Sequence, residues 1–243
     1  MYYDCFVFSA EPLRLNGKVT GHLNDVEIVD SDLHGYIQVD QGRAFTAISR
    51  VPSTIGYDMQ SLLAIGELPG WLFGSTSSGD KNGFSVTGGV FNRSVDIEFP
   101  QTGDKVFITE TLSGLDVHNF LKMDVQIHGS VSSIAFGKKI EIDDYETEYT
   151  LVSQGIIRSR SSKSYRLEGN SIQVPYTVDQ TIYFTECPYL PDEKRQKFYL
   201  LQSSRNTIDY NDQENIVRFA AQYNIESKPS KLKYYCCTIL LIH

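Results

Sequence analysis

The sequence predicts a large antiparallel β domain built around one apolar helix. Most of the chain alternates apolar and polar residues with a period of two, which is typical of strands, whereas residues 51–74 form a long apolar segment that does not alternate. A helix that is apolar on most sides must be enclosed by other elements, and the elements available are strands. We therefore expect a helix packed inside or beneath a sheet that can close into a barrel. The alternative is an ordinary core helix in an α+β domain.

The apolar segment carries its own start and stop signals. Pro52 and Ser53 suit a helix start, and Gly66 and Pro69 are expected to end the helix. Helical spacing relates four of its apolar residues, Ile55, Met59, Leu62 and Leu63.

Composition supports one sizeable domain and argues against some partners. The 243 residues are 41% hydrophobic and carry a net charge of −8, which disfavours general binding to nucleic acid. One basic run is interpreted as the solvated side of a strand, with a sulfated glycan site as the alternative; it contains Arg158, Arg160, Lys163 and Arg166.

The cysteines do not predict a metal site, and no cofactor is expected. None of Cys5, Cys187, Cys236 and Cys237 has a zinc-type spacing. A Cys5–Cys187 disulfide and two small buried residues both remain open. No signal peptide and no apolar run of about 20 residues is visible, which suggests the cytoplasm unless the chain is part of a longer protein.

The alternating runs predict a meander of strands. In chain order they are 13–23, 26–30, 33–40, 43–49, 90–99, 105–112, 121–131, 140–151, 155–167, 181–185, 198–202, 208–210 and 214–223. The acidic run within 141–148 lacks the order of a calcium loop and is interpreted as a solvated strand face.

Two groups of polar residues share a face. Asp32, His34 and Tyr36 are spaced by two and project from one side of a strand. Glu214 and Arg218 lie side by side whether their segment is a strand or a helix. Asp32 and His34 could belong to a hydrolytic triad, but no activated nucleophile accompanies them, and phosphate-loop, dinucleotide and metalloprotease motifs are absent. The pattern favours a protein-binding surface over an enzyme.

Six strings in order resemble the β-barrel domain of nidogens, which hemicentins also contain. They are LNGKVTG, SDLHGYIQVDQGRAFTAIS, IGELPGWLF, KNGFSVTGGVF, SGLDVHNFL and ENIVRFAAQYNI. The resemblance covers residues 13–225 and implies an eleven-stranded antiparallel barrel with a central helix, shaped like green fluorescent protein. No fluorescence is expected, because the helix offers Ile55, Gly56 and Tyr57; visible absorbance would contradict this.

The resemblance also implies a function. This barrel would be a non-enzymatic module that binds an immunoglobulin-like domain of perlecan, and collagen IV, through Asp32, His34, Tyr36, Glu214 and Arg218. Phe45 stands where nidogens have a tyrosine, so one hydroxyl contact would be lost. The alternative is a structural spacer, or a hemicentin-type adhesion module that does not bind perlecan.

Finally, the resemblance implies an extracellular, basement-membrane location. Residues 1–12, with Cys5, would then be the remnant of an epidermal-growth-factor-like repeat. Residues 226–243 match nothing in the family and are expected to be a disordered tail or a gene-model artefact. Asn92, in the pattern Asn92-Arg93-Ser94, is the one candidate for glycosylation.

Overall fold

The structure is a computed structural model that describes residues 14–38, 42–76, 80–186 and 196–227. Its strands are β1 (Arg14–Leu23), β2 (Val26–Gln38), β3 (Arg43–Ser49), β4 (Ser75–Thr76), β5 (Val90–Phe99), β6 (Asp104–Leu115), β7 (Leu121–Gly129), β8 (Ile140–Glu141), β9 (Tyr145–Ser153), β10 (Ile156–Leu167), β11 (Gln173–Phe184), β12 (Phe198–Asn211) and β13 (Ile216–Glu226). Its helices are a short 3-10 helix (Asp58–Ser61), α1 (Leu63–Phe73) and α2 (Gly83–Thr87).

Eleven of these strands close into a barrel, as the sequence analysis predicts. Their order is β11-β5-β6-β7-β1-β2-β3-β13-β12-β9-β10, and β10 pairs with β11 to complete the ring. Ten of the eleven pairings are antiparallel, while β1 and β7 pair in parallel. A parallel pair cannot be joined by a hairpin, and here the whole run from β2 to β6 separates the two strands. The two-residue strands β4 and β8 lie outside the ring.

The helix α1 lies inside the barrel, and all eleven of its residues are buried. The alternation of the strands explains why, because in β6 every second side chain points inward and builds an apolar lining. Trp71 is 0% exposed. Its ring lies 5.8 Å from that of Phe91 and 5.7 Å from that of Tyr149, measured between centroids. The prediction of an enclosed helix is therefore confirmed.

The prediction that Gly66 and Pro69 end the helix is wrong, because α1 runs through both to Phe73. A Cβ atom added at Gly66 would lie only 2.6 Å from the Cβ of Phe219, so glycine allows α1 to pack directly on β13. The Tyr223 hydroxyl also donates a hydrogen bond to the Gly66 carbonyl, at 3.3 Å. Enclosure by the barrel thus overrides local helix propensity. The helix is also shorter at its start, since Leu62 separates it from the 3-10 helix.

The basic run in β10 does not form one exposed patch. Lys163 is buried and points into the barrel, so its assignment to a solvated face, or to a glycan site, is wrong. Arg160 and Arg166 do project outward, but both face carboxylates. Arg160 lies 3.6 Å from Asp179, and Arg166 lies 3.0 Å from Glu141 and 3.0 Å from Asp143.

Several predictions concern residues outside the described ranges. These include the remnant repeat at 1–12, nearly all of the tail, and the disulfide or burial of the cysteines at 5, 187, 236 and 237. Within the described residues, no helix has the length and apolar character needed to cross a lipid bilayer.

Candidate functional site

The predicted face residues lie on four neighbouring strands of the barrel exterior. In the first row across the sheet, His34 of β2 is opposite Ala47 of β3, which is opposite Arg218 of β13. Since neighbouring strands are about 4.8 Å apart, the His34 and Arg218 backbones are separated by about 10 Å, with only the Ala47 methyl group between them. His34 and Arg218 are both exposed.

The second row is aromatic. Tyr36 is opposite Phe45, which is opposite Ala220. The rings of Tyr36 and Phe45 stack with centroids 4.7 Å apart and planes 10° from parallel. The Arg43 guanidinium lies 5.2 Å from the Phe45 ring centroid and donates a hydrogen bond of 3.1 Å to the Thr207 hydroxyl of β12. These contacts hold the aromatic pair in place, although Tyr36 remains 50% exposed.

Glu214 and Arg218 meet as the sequence analysis predicts. Glu214 lies in the turn before β13, rather than in the strand. Its carboxylate accepts a hydrogen bond of 2.5 Å from the Arg218 guanidinium, and both side chains are about half exposed, at 52% and 44%. An exposed pair of this kind adds little to stability. It does, however, present a charged donor and a charged acceptor to the solvent in a fixed arrangement.

Asp32 is already engaged within the chain. Its carboxylate lies 2.8 Å from the Lys18 ammonium and 2.6 Å from the Arg50 guanidinium. The hydrogen bond from Lys18 and the charge of Arg50 hold the pKa of Asp32 below its ordinary value. No hydrogen bond joins Asp32 to His34 among the described residues, so the arrangement does not support the triad considered from the sequence.

The two rows enclose a groove of about 320 Å³. His34 and Tyr36 form one wall and Arg218 lies on the other, above a floor of alanines. Tyr36 also borders a second groove on its β1 side, which includes Arg14, Asn16 and Phe120. Sequence reasoning missed three groove residues, Ala47, Thr207 and Asp209. They become neighbours only through the register of β3, β12 and β13, for which a single sequence carries no signal.

A buried polar network inside the barrel was also missed. Lys163 donates to one carboxylate oxygen of Glu67 in α1, and the Tyr149 hydroxyl donates to the other at 2.9 Å. Next to it, Arg93 donates to Glu110 at 2.6 Å and to the Ala64 carbonyl of α1 at 3.2 Å. These bonds tie α1 to three barrel strands.

The charges of this network shape one another. Burial alone would raise the pKa of Glu67, but the adjacent Lys163 ammonium outweighs it and holds that pKa below its ordinary value. Burial lowers the pKa of Lys163, although the Glu67 carboxylate opposes the shift. Burial raises the pKa of Glu110, and Arg93 opposes this. The arrangement has the features of a structural lock on the helix.

Asn92 is exposed on the outer side of β5, and its side-chain oxygen accepts a hydrogen bond of 3.1 Å from Thr111. Its glycosylation stays a prediction.

An enclosed helix in an eleven-stranded ring defines a barrel domain of the green-fluorescent-protein type. Amphioxus green fluorescent protein superposes with a TM-score of 0.70 at 15% identity, covering 90% of this chain and 100% of that one. At that identity, the likeness concerns the fold alone. The chain itself belongs to the nidogen G2 barrel domain family, whose model matches residues 10–191.

Named relatives agree with this assignment. Domain G2 of mouse nidogen-1 has a TM-score of 0.81 and 35% identity, with 90% of each chain covered. Nidogen-1 of Homo sapiens is 35% identical over 95% of this chain and 20% of its own length. Hemicentin-1 of Mus musculus is 27% identical over 88% of this chain and 4% of its own. The chain thus spans a fifth or less of these two proteins. The family is one of extracellular-matrix modules and is not an enzyme family.

Proposed function

We propose that this barrel is a non-enzymatic binding module of the extracellular matrix. Its partner would be an immunoglobulin-like domain of perlecan, docked on the groove between His34 and Arg218, with collagen IV as a further ligand. The observation that carries the proposal is the convergence of five predicted residues on one exposed face. The resemblance to nidogens had assigned this role to the same residues. The proposed location is the basement membrane.

The chemistry of the groove suits a protein ligand. Arginine and tyrosine are enriched among residues that dominate binding energy, and here Arg218 and Tyr36 flank a shallow apolar floor. A rigid sheet loses little conformational entropy when a partner docks. Glu214 can accept, and Arg218 can donate, charge-assisted hydrogen bonds across the interface.

Replacing His34 and Arg218 together by alanine is expected to weaken binding by about 2–4 kcal/mol, because both are exposed groove anchors. Binding of the full chain, made through a secretory route, is measured against immobilised perlecan immunoglobulin-like domains and collagen IV. The matched control is His118→Ala with Arg158→Ala, which removes the same two residue types from exposed positions elsewhere. Equal affinity in the two double variants would refute the site. No binding by the folded wild type would favour the spacer or the hemicentin-type module.

Phe45→Tyr is expected to strengthen binding by about 0.5–1.5 kcal/mol, the usual contribution of one hydrogen bond. Phe45 lines the groove and its ring is already held by Tyr36 and Arg43, so the added hydroxyl needs no new side-chain ordering. The measurement is the same binding titration, with thermal unfolding as the check that the fold is unchanged. An affinity equal to or below that of wild type would show that this hydroxyl plays no part.

A further inference from the structure

Two histidines lie side by side on a different part of the barrel exterior. His22 of β1 is directly opposite His128 of β7 in the parallel pairing of these strands. Both side chains are exposed. Their rings lie 6.2 Å apart between centroids, with planes 23° from parallel. The pair is held together by strand register, and neither residue belongs to the groove described above.

The surroundings leave the ring nitrogens available. Among the described residues, neither imidazole makes a hydrogen bond or an ion pair. Glu27 of β2 is opposite His22, and Phe107 of β6 is opposite His128. The nearby cation on β6, Lys105, is bound to Glu98 at 2.6 Å.

This spacing fits two ligands of one metal ion. A metal–nitrogen bond of about 2.0–2.1 Å places each ring centroid about 3.2 Å from the ion, so two imidazoles sharing an ion lie at most about 6.4 Å apart. The observed 6.2 Å falls within that limit, and exposed side chains can rotate to bring both nitrogens onto the ion. Imidazole suits copper, nickel and zinc, whereas magnesium and calcium prefer oxygen ligands.

We propose that His22 and His128 form a bidentate site for a divalent transition-metal ion. The described residues contain no group of three or more metal-ligating side chains, so two imidazoles hold the ion and water completes its coordination. Among ions of this kind, Cu²⁺ is expected to bind most tightly, following the general order of affinities for nitrogen ligands.

The test uses the Cu²⁺ complex of nitrilotriacetate, in which the chelator leaves two neighbouring positions open for a pair of imidazoles. The full chain is titrated by calorimetry, and paramagnetic resonance detects nitrogen donors on the bound copper. Because the four cysteines also bind copper, the informative quantity is the difference between variants. Wild type is expected to bind one equivalent that His22→Gln and His128→Gln each weaken by at least about tenfold.

The matched control is His118→Gln, which removes an exposed histidine from the turn before β7 and is expected to leave the titration unchanged. Identical titrations for wild type, His22→Gln and His128→Gln would overturn the proposal. So would resonance spectra showing the same nitrogen donors in all three proteins.

Discussion

Lys163→Met is expected to destabilise the barrel by about 3–5 kcal/mol at neutral pH, because it leaves a buried carboxylate without its cation. The side chains of Lys163 and Glu67 are only 3% and 1% exposed, so water cannot replace the lost partner. The Tyr149 hydroxyl would remain on Glu67, but a neutral donor compensates only part of a buried charge. Urea unfolding followed by fluorescence measures the change.

The pH dependence gives this prediction a second readout. In the wild type, the pKa of Glu67 lies below its ordinary value, so the stability due to its ionised form is present at neutral pH and is lost on acidification through that pKa. In Lys163→Met, burial without the ammonium favours protonated Glu67, so acid should remove the penalty. The difference in stability between the two proteins therefore shrinks as the pH falls.

Two further variants separate this effect from packing. Lys105→Met removes a lysine paired with Glu98 at 2.6 Å, but both side chains are mostly exposed, so stability should hardly change. Adding Glu67→Gln to Lys163→Met removes the buried charge and should recover much of the loss. A single variant as stable as wild type at neutral pH would show that the buried pair does not hold the helix.

The sequence could predict the barrel and its outer face because both depend on a local period of two. Alternation alone places Asp32, His34 and Tyr36 outward on β2. The same rule places Lys163 inward with Ile157 and Tyr165, but a lysine in an inward position is interpreted as solvated when nothing reveals its partner. That partner, Glu67, lies 96 positions away along the chain.

The rest of the site depends on long-range register, which a single sequence does not contain. Asp209 and Thr207 join the groove only because β12 pairs with β13 in one particular alignment. The helix end was mispredicted for a related reason. Gly66 acts as a local stop signal, yet its lack of a side chain is what lets α1 approach Phe219. Tertiary packing decides such positions.

Trp71→Ala is the second large effect we expect, a loss of about 3–5 kcal/mol in the free energy of unfolding. Trp71 is 0% exposed and its ring contacts the rings of Phe91, Tyr149 and Tyr199, with the last at 6.4 Å between centroids. Truncation opens a cavity between α1 and the barrel wall that a closed ring of strands cannot collapse to fill. Denaturant unfolding at constant pH measures the loss.

Trp71→Phe tests whether the indole matters for packing or for polarity. The indole N–H is buried and has no hydrogen-bond partner among the described residues, and an unmade buried hydrogen bond is itself unfavourable. Phenylalanine removes that donor and keeps an aromatic ring, so its loss of stability should be much smaller than that of alanine. Phe136→Ala, at a ring that is 80% exposed, is the control for aromatic deletion and should change little. If Trp71→Phe were as damaging as Trp71→Ala, the indole N–H would have to make a bond that packing alone does not explain.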